Sequence, residues 1–429
     1  MKKLLYKIIP TEVILFYHKV HAYSAAAWYG FPSRNMKIIG ITGTKGKTTT
    51  ANFIWTVLQH GGKKTGLIGT ANIRVGDNER MNEYHMTMPS PWIIQKLLKE
   101  MKDSSCEYVV MEVTSEGIKQ SRHIGINFYI GVFTNLSPEH LPSHKNSYDV
   151  YAQTKKIFFE NLSDASGYMV TNTDDPKSEY MSFGISVPII NYGIESGTWQ
   201  ATHILESAEG IRFQVNNEKI VSPILGKFNV YNILPAIIIG LKEGLDMTSI
   251  KQGILSLSII PGRMERISVG QPFTVIVDYA HEKKSMSALL DAGQALKGVN
   301  SQSKLIVIYG AEGGGRDKRK RGEMSEVASK KADIAIVTTV DPYDDNPIDI
   351  NNDIGSYLET YGMKKDETYY IIHDRKEAIK KALILAGDTG VVLIAGKGAE
   401  QSMILPTGAV SWDDREITKL CLLELGYGK

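Results

Sequence analysis

The sequence predicts an α/β protein: a phosphate-loop (P-loop) domain built on a mostly parallel sheet, followed by a Rossmann-like α/β domain. Three observations predict it. Short apolar runs that suit buried strands alternate with longer stretches of helical period. The run Ile39–Thr50 passes from an apolar strand through a glycine-rich turn and Gly-Lys-Thr into a helix. A second series of strand–helix alternations begins after Pro261-Gly262-Arg263.

The first residues precede this alternation. Met1-Lys2-Lys3 followed by Leu4, Leu5, Ile8 and Ile9 looks like the start of a signal peptide. Pro10, Glu12, His18, Lys19 and His21 then break the apolar run, and no small-residue cleavage site follows. No segment reaches the ~18 apolar residues needed to span a bilayer. Residues 1–36 are therefore read as a short helical segment docked on the first domain, in preference to a helix in membrane contact.

The central domain is read over residues 37–262. Lys37–Thr42, Tyr108–Val113 and Ile130–Thr134 are its buried parallel strands, and Thr49–His60 and Pro91–Met101 are helices between them. Ala51, Ile54, Trp55 and Leu58 share one face of the first helix. The C-terminal domain is read over 263–429, with strands at Phe273–Asp278, Leu305–Tyr309, Ile334–Thr338 and Val391–Ala395. Ser285–Leu296 and Arg375–Ala386 are its helices, and Pro261–Val269 is read as a hinge that lets the domains close on nucleotide. The run Lys318-Arg319-Lys320-Arg321, followed by Glu323, reads as a solvated helix start and not as a nucleic-acid patch.

Composition narrows the function classes. The 429 residues suffice for two or three domains, and 42% hydrophobic with 22% charged residues is ordinary for a globular protein. A net charge of +2 gives no general attraction to nucleic acid. Cys106 and Cys421 cannot build a disulfide framework or a four-cysteine zinc site, and they suit a reducing cytoplasm.

The turn carries the chemistry. Gly43 and Gly46 let backbone N–H groups approach phosphate oxygens, Lys47 adds a point charge, and the Thr48 hydroxyl can ligate Mg²⁺. The helix behind it turns its positive end to the same anion. A strict G-x-x-x-x-G-K-T loop wants glycine at position 41, where Ile41 stands; the local pattern is the shorter G-x-x-G-K-T from Gly43 to Thr48. Further polar residues follow apolar runs. Glu112 closes one strand, Thr134-Asn135 ends another, His140 follows, and Lys155 lies beyond Tyr151. In an open parallel sheet these strand ends border one ligand crevice.

The order of motifs is specific. Gly43-Thr44-Lys45-Gly46-Lys47-Thr48-Thr49 is followed by Glu112-Val-Thr114-Ser115-Glu116, Thr134-Asn-Leu-Ser-Pro-Glu-His140 and Tyr151-Ala-Gln-Thr-Lys155. Gly226-Lys-Phe-Asn229-Val-Tyr-Asn232, Pro261-Gly-Arg263 and Asp278-Tyr-Ala-His281 come next. Gly313-Gly-Gly-Arg316-Asp317 and Ala395-Gly-Lys397-Gly-Ala-Glu400 close the series. This series, from about Lys37 to the C-terminus, resembles the Mur ligase family, most of all its tripeptide synthetases of the MurE type.

The resemblance implies an ATP-dependent ligase of peptidoglycan synthesis that joins an amino acid to a carboxylate acceptor, a UDP-N-acetylmuramoyl peptide, through an acyl phosphate. It implies that Lys47 and the loop residues Gly43 to Thr49 hold the phosphates, with Asn229, Asn232, Arg263 and Asp278 around the rest of the nucleotide. Thr48 and Glu112 would hold one Mg²⁺ and His140 would help hold a second. Lys155 matches a lysine that the family carbamylates, which turns a cation into an anion near that metal. Thr87, Thr114, Ser115, Arg122, Arg316, Asp317, Asp341 and Glu400 are the implied substrate contacts.

The chain also departs from the family pattern. About 36 residues precede the first strand, where the family carries a UDP-binding domain. Diaminopimelate-adding members show Asp-Asn-Pro-Arg in the C-terminal domain; here Asp341-Pro342-Tyr343-Asp344-Asp345-Asn346-Pro347 has no arginine, which disfavours that amino acid. Glu116 and Ala399 replace histidines of the family, which points to altered substrate recognition. A ligase of folylpolyglutamate or cyanophycin type, or a nucleotide-binding partner subunit without ligation, remain the alternatives.

Overall fold

Residues 11–84, 86–138, 141–162, 166–207, 209–297 and 302–428 are described in the computed structural model. The chain divides into two units. The first comprises Met1–Ile204, Arg212–Ser222 and Asn229–Leu257, and the second comprises Leu205–Ile211, Pro223–Phe228 and Ser258–Lys429.

The first unit is organised by strands β1 (Lys37–Thr42), β2 (Thr65–Ile68), β3 (Asn72–Val75), β4 (Asn78–Met81), β5 (Tyr108–Glu112) and β6 (Phe128–Phe133). They continue as β7 (Tyr168–Asn172), β8 (Ile189–Gly193), β9 (Trp199–Ser207), β10 (Gly210–Val215) and β11 (Glu218–Ser222). The sheet order is β11-β10-β9-β8-β7-β6-β1-β5-β2-β3-β4. The middle is parallel: β1 lies between β5 and β6, with Ile41 opposite Glu112 on one side and Val132 on the other. That register brings the ends of β1, β5 and β6 to one edge, where the phosphate loop begins.

Helices cover both faces, so the central strands are apolar throughout. Helix Lys47–His60 packs with Asn229–Lys242 and Met247–Ser256 on one face. Helices Pro91–Asp103 and Tyr148–Glu160 supply Ile94, Leu98, Phe158 and Phe159 to a core with Ile38, Val109 and Phe128. Phe158 meets Phe128 edge-to-face, with centroids 5.0 Å apart. The N-terminal helix Thr11–Trp28 buries Ala22, Ala25 and Ala26 and packs on helix Pro91–Asp103. Trp92 Nε1 donates to His21 Nε2 over 3.0 Å across that contact. No helix among the described residues is long and apolar enough to cross a membrane.

The second unit has strands β12 (Glu265–Arg266), β13 (Thr274–Asp278), β14 (Leu305–Tyr309), β15 (Ile334–Val337), β16 (Tyr369–Ile371) and β17 (Val391–Ala395), ordered β12-β13-β17-β14-β15-β16. From β13 to β16 every pair is parallel. Because β17 returns between β13 and β14, the order reverses there, and the crevice beyond their carboxyl ends is where such a sheet takes a ligand. The small pair β18 (Ser402–Leu405) and β19 (Gly408–Ser411) follows. Within the expected hinge, Glu265–Arg266 pairs antiparallel with Ile276 and Val277, which ties the middle of Pro261–Val269 into this sheet. The last crossing of the chain between the two units lies between Leu257 and Ser258.

Candidate active site

In the first unit the phosphate loop is held from both sides. Asn135 Oδ1 accepts from Lys45 N at 2.9 Å, and Thr134 Oγ1 donates to Lys45 O at 2.7 Å. Thr44 Oγ1 lies 3.3 Å from Tyr151 OH and accepts from Ser137 N at 2.9 Å. Gly46 has φ 82°, and a Cβ there would strike Asn232 Oδ1, so the turn requires glycine on two counts. Asn232 in turn donates to Asn229 Oδ1 at 2.6 Å and accepts from Thr50 Oγ1 at 3.2 Å. Lys47 Nζ donates to Gly43 O and Thr44 O, each at 2.9 Å, so its ammonium stands over the loop's own carbonyls. Thr49 is buried in the helix behind them.

Glu112 ends β5 with no exposure to solvent. Its Oε2 accepts from Thr48 Oγ1 at 3.1 Å and Thr70 Oγ1 at 2.9 Å, and its Oε1 accepts from Thr70 N at 2.6 Å. Carboxylate and hydroxyl oxygens side by side are the hard donors that Mg²⁺ prefers. Two protein oxygens are enough for an ion that keeps most of its waters, so a larger cage is not needed. No group of three or more His, Cys, Asp or Glu gathers among the described residues. Lys155 is buried on helix Tyr148–Glu160, and its Nζ donates to Gly43 O at 2.8 Å, on the same loop. His140 lies outside the described residues.

A polar path leads outward from Glu112. Thr70 Oγ1 lies 2.9 Å from Thr87 Oγ1, and the neighbouring Met88 O accepts from Arg122 Nη1. Thr114 N donates to Met88 Sδ at 3.2 Å. Ser115 is buried at the start of the short helix Ser115–Lys119, and Thr114 Oγ1 caps it by accepting from Gly117 N at 3.1 Å. Thr87, Thr114, Ser115 and Arg122, the substrate contacts expected from the sequence, lie along this path, and Thr114 also caps a helix. Thr70 was not singled out from sequence. The available signal was a polar residue just past the end of an apolar strand.

In the second unit the crevice gathers another set. Lys397, 1% exposed, lies 2.5 Å from Asp341 Oδ2 and 2.6 Å from Glu400 Oε2. Burial works against its ammonium, but Glu400 and Asp341 outweigh burial and raise its pKa. Burial pushes the Glu400 carboxyl up against the pull of Lys397. Tyr279 OH donates to Glu400 Oε1 at 3.1 Å, and the Arg263 guanidinium stacks 4.3 Å from the Tyr279 ring centroid. Asp278 accepts from Met264 N and Ala280 N, each at 2.8 Å, and braces the turn after β13. Arg316 Nη2 reaches Tyr343 OH at 3.4 Å. Asp317 is turned to Arg319, with its Oδ2 2.6 Å from Nη2.

A phosphate loop with a buried carboxylate and a buried lysine against it fits an enzyme that handles a nucleoside triphosphate, and the second α/β unit carries a polar crevice of its own. The description "Mur ligase middle domain" matches residues 41–240, and "Mur ligase, glutamate ligase domain" matches 262–398. The UDP-N-acetylmuramoyl-L-alanyl-D-glutamate--2,6-diaminopimelate ligase of Geobacillus thermodenitrificans is 36% identical over 428 residues, covering 97% of this chain and 85% of that protein. A like-named ligase 1 of Clostridium acetobutylicum is 36% identical over 414 residues, covering 95% and 82%. A solved structure of a ligase with that name superposes with TM-score 0.63 at 25% identity, covering 91% of this chain and 79% of that one. Folylpolyglutamate synthase of Mycobacterium tuberculosis, at 16% identity, shares the fold with TM-score 0.71, covering 88% and 92%. The chain belongs to the Mur ligase family.

Proposed function

We propose that this ligase phosphorylates the free carboxylate of a UDP-N-acetylmuramoyl peptide and then joins an amino acid to it. The γ-phosphoryl group leaves ATP as its bond to the β-phosphate breaks, and a carboxylate oxygen takes it. ADP and an acyl phosphate result. The amino acid's amine then attacks the acyl carbon, phosphate leaves with that oxygen, and the amine gives up a proton. A carboxylate needs this activation because it is a poor electrophile with a poor leaving group. The protein's part is positioning and charge neutralisation.

The observation that carries the reading is Glu112, buried at the end of β5 with Thr48 of the loop helix at 3.1 Å. In this reading Lys47 turns from Gly43 O and Thr44 O toward the β- and γ-phosphates, and Asn229, Asn232, Arg263 and Asp278 serve the nucleoside. Thr48 and Glu112 would hold one Mg²⁺, and His140 with a carbamylated Lys155 would hold a second. These ions would supply charge neutralisation at the transferring phosphate. Buried Lys155 suits the modification, because a carbamate keeps an N–H that can still meet Gly43 O. Thr87, Thr114, Ser115 and Arg122 would contact the acceptor.

Purified protein with ATP, Mg²⁺, UDP-muramoyl dipeptide and an amino-acid panel tests this. Phosphate release that requires both acceptor and amino acid, with an amide product of matching mass, is the expected result. ATP binding without turnover across the panel would favour the partner-subunit reading instead.

A further inference from the structure

The N-terminal helix Thr11–Trp28 is docked along one face only. Ala22, Ala25 and Ala26 are buried, and the helix packs on Pro91–Asp103. Val13, Phe16, Val20, Tyr23 and Ala27 follow one another at intervals of three and four residues, so they form a single stripe on the side away from those alanines. All five are exposed, Phe16 by 68%. Tyr17 and Trp28 flank the stripe, and Trp28 is 77% exposed. A continuous apolar stripe left to water marks a contact surface. Charge is set around it. Residues 1–36 carry Lys2, Lys3, Lys7, Lys19 and Arg34 against Glu12 alone. Lys19 is exposed beside Val20. The Arg34 guanidinium lies 4.2 Å from the Phe31 ring centroid, and that ring meets Tyr23 edge-to-face at 5.4 Å.

We propose that this face lies on the surface of an anionic lipid bilayer, with the stripe at the headgroup boundary and the lysines and Arg34 toward lipid phosphates. A second copy of the chain fits less well. The stripe lasts about two heptads, where a coiled coil sustains three or four. A helix of 18 residues is about 27 Å long and about 10 Å wide, so one face offers roughly 300 Å², against the ~800 Å² per partner of a stable dimer. A bilayer asks for no matching surface. It accepts phenols and indoles at headgroup depth, and its charge attracts lysine and arginine. The helix is not long and apolar enough to cross, so its place is on the surface.

The test uses the whole chain, sedimented with vesicles of phosphatidylglycerol and phosphatidylcholine or of phosphatidylcholine alone. We expect at least ~10-fold stronger binding to the anionic vesicles, weakened by salt. Phe16→Glu with Val20→Glu should lose at least ~10-fold in binding with the thermal midpoint unchanged, because both side chains are exposed. A second readout keeps the stripe intact. Bromine-labelled lipid should quench the tryptophan emission of the wild type, and Trp28→Phe should remove most of that quenching, because Trp28 is the one exposed tryptophan of five. No binding, equal binding to neutral vesicles, binding that the folded double variant retains, or bound protein with unquenched emission overturns the proposal. A dimer that the double variant abolishes, seen in place of vesicle binding, overturns it too and assigns the face to a second copy.

Discussion

Glu112 has no solvent exposure, and its hydrogen bonds come from Thr48 and Thr70. Glu112→Gln keeps the shape and removes the charge. If Glu112 holds the metal as proposed, kcat should fall by at least ~100-fold through loss of that charge at the transferring phosphate, while circular dichroism and thermal midpoint change little. Loss of fold with the activity would assign Glu112 a structural role. Lys155→Ala should lose activity, and acetate or formate should restore part of it by standing in for the carbamate; no rescue would count against the modification. His123 gives a pH prediction. It is buried, with Nδ1 lacking a hydrogen-bond partner, and burial followed by nearby Lys19 lowers its pKa from 6.5 to about 4. The unfolded chain therefore takes up a proton before the folded one does. The stability this neutral ring allows is full above pH 6.5 and is lost as pH falls toward about 4, by ~3 kcal/mol. As pH falls across that range the thermal midpoint of the wild type should drop relative to that of His123→Phe; parallel curves would show that His123 does not titrate this way.

At the scale of elements, Arg375 joins the two last helices to the sheet. Its guanidinium lies 2.6 Å from Asp414 Oδ2 and donates to Ala395 O at 2.8 Å, with both side chains almost wholly buried. Ala395 ends β17, immediately before the turn that carries Lys397 and Glu400. Arg375→Ala leaves Asp414 buried without its counter-charge and should destabilise the protein by roughly 3–5 kcal/mol in chemical denaturation. Arg375→Met with Asp414→Leu should recover much of that loss; a double variant no better than the single one would mean that packing, not charge, is what Arg375 supplies. Elements also show what sequence could reveal. β1, β14 and β17 were legible to the residue, because strands buried on both faces are continuous apolar runs. β9, read as Trp-Gln-Ala-Thr-His-Ile-Leu-Glu-Ser, was not, because it is largely exposed and its polar residues hide the period. β19, exposed throughout, was missed for the same reason, and β18, Ser-Met-Ile-Leu, because four residues are too short to show a period.

For the whole molecule, the parts of the site that are local in sequence were legible. The phosphate loop announces itself in six residues, Gly43 to Thr48, because its geometry is backbone geometry. Glu112 and Lys155 were found through the order of motifs. Thr70 was not, because it meets Glu112 only once β2 pairs with β5, 42 positions away in the chain. The sharing of Lys397 between Asp341 and Glu400 was equally hidden, since Asp341 follows β15 and Lys397 follows β17. Ion pairs across a sheet depend on strand order, and strand order is not written in any one segment.

The central claim is that a carboxylate of the acceptor takes the γ-phosphoryl group before the amide forms. Acceptor labelled with oxygen-18 in that carboxylate, turned over with ATP and amino acid, tests it most directly by mass spectrometry of the released phosphate. One labelled oxygen in each phosphate is the result this mechanism requires. Unlabelled phosphate, released while amide forms, would contradict it.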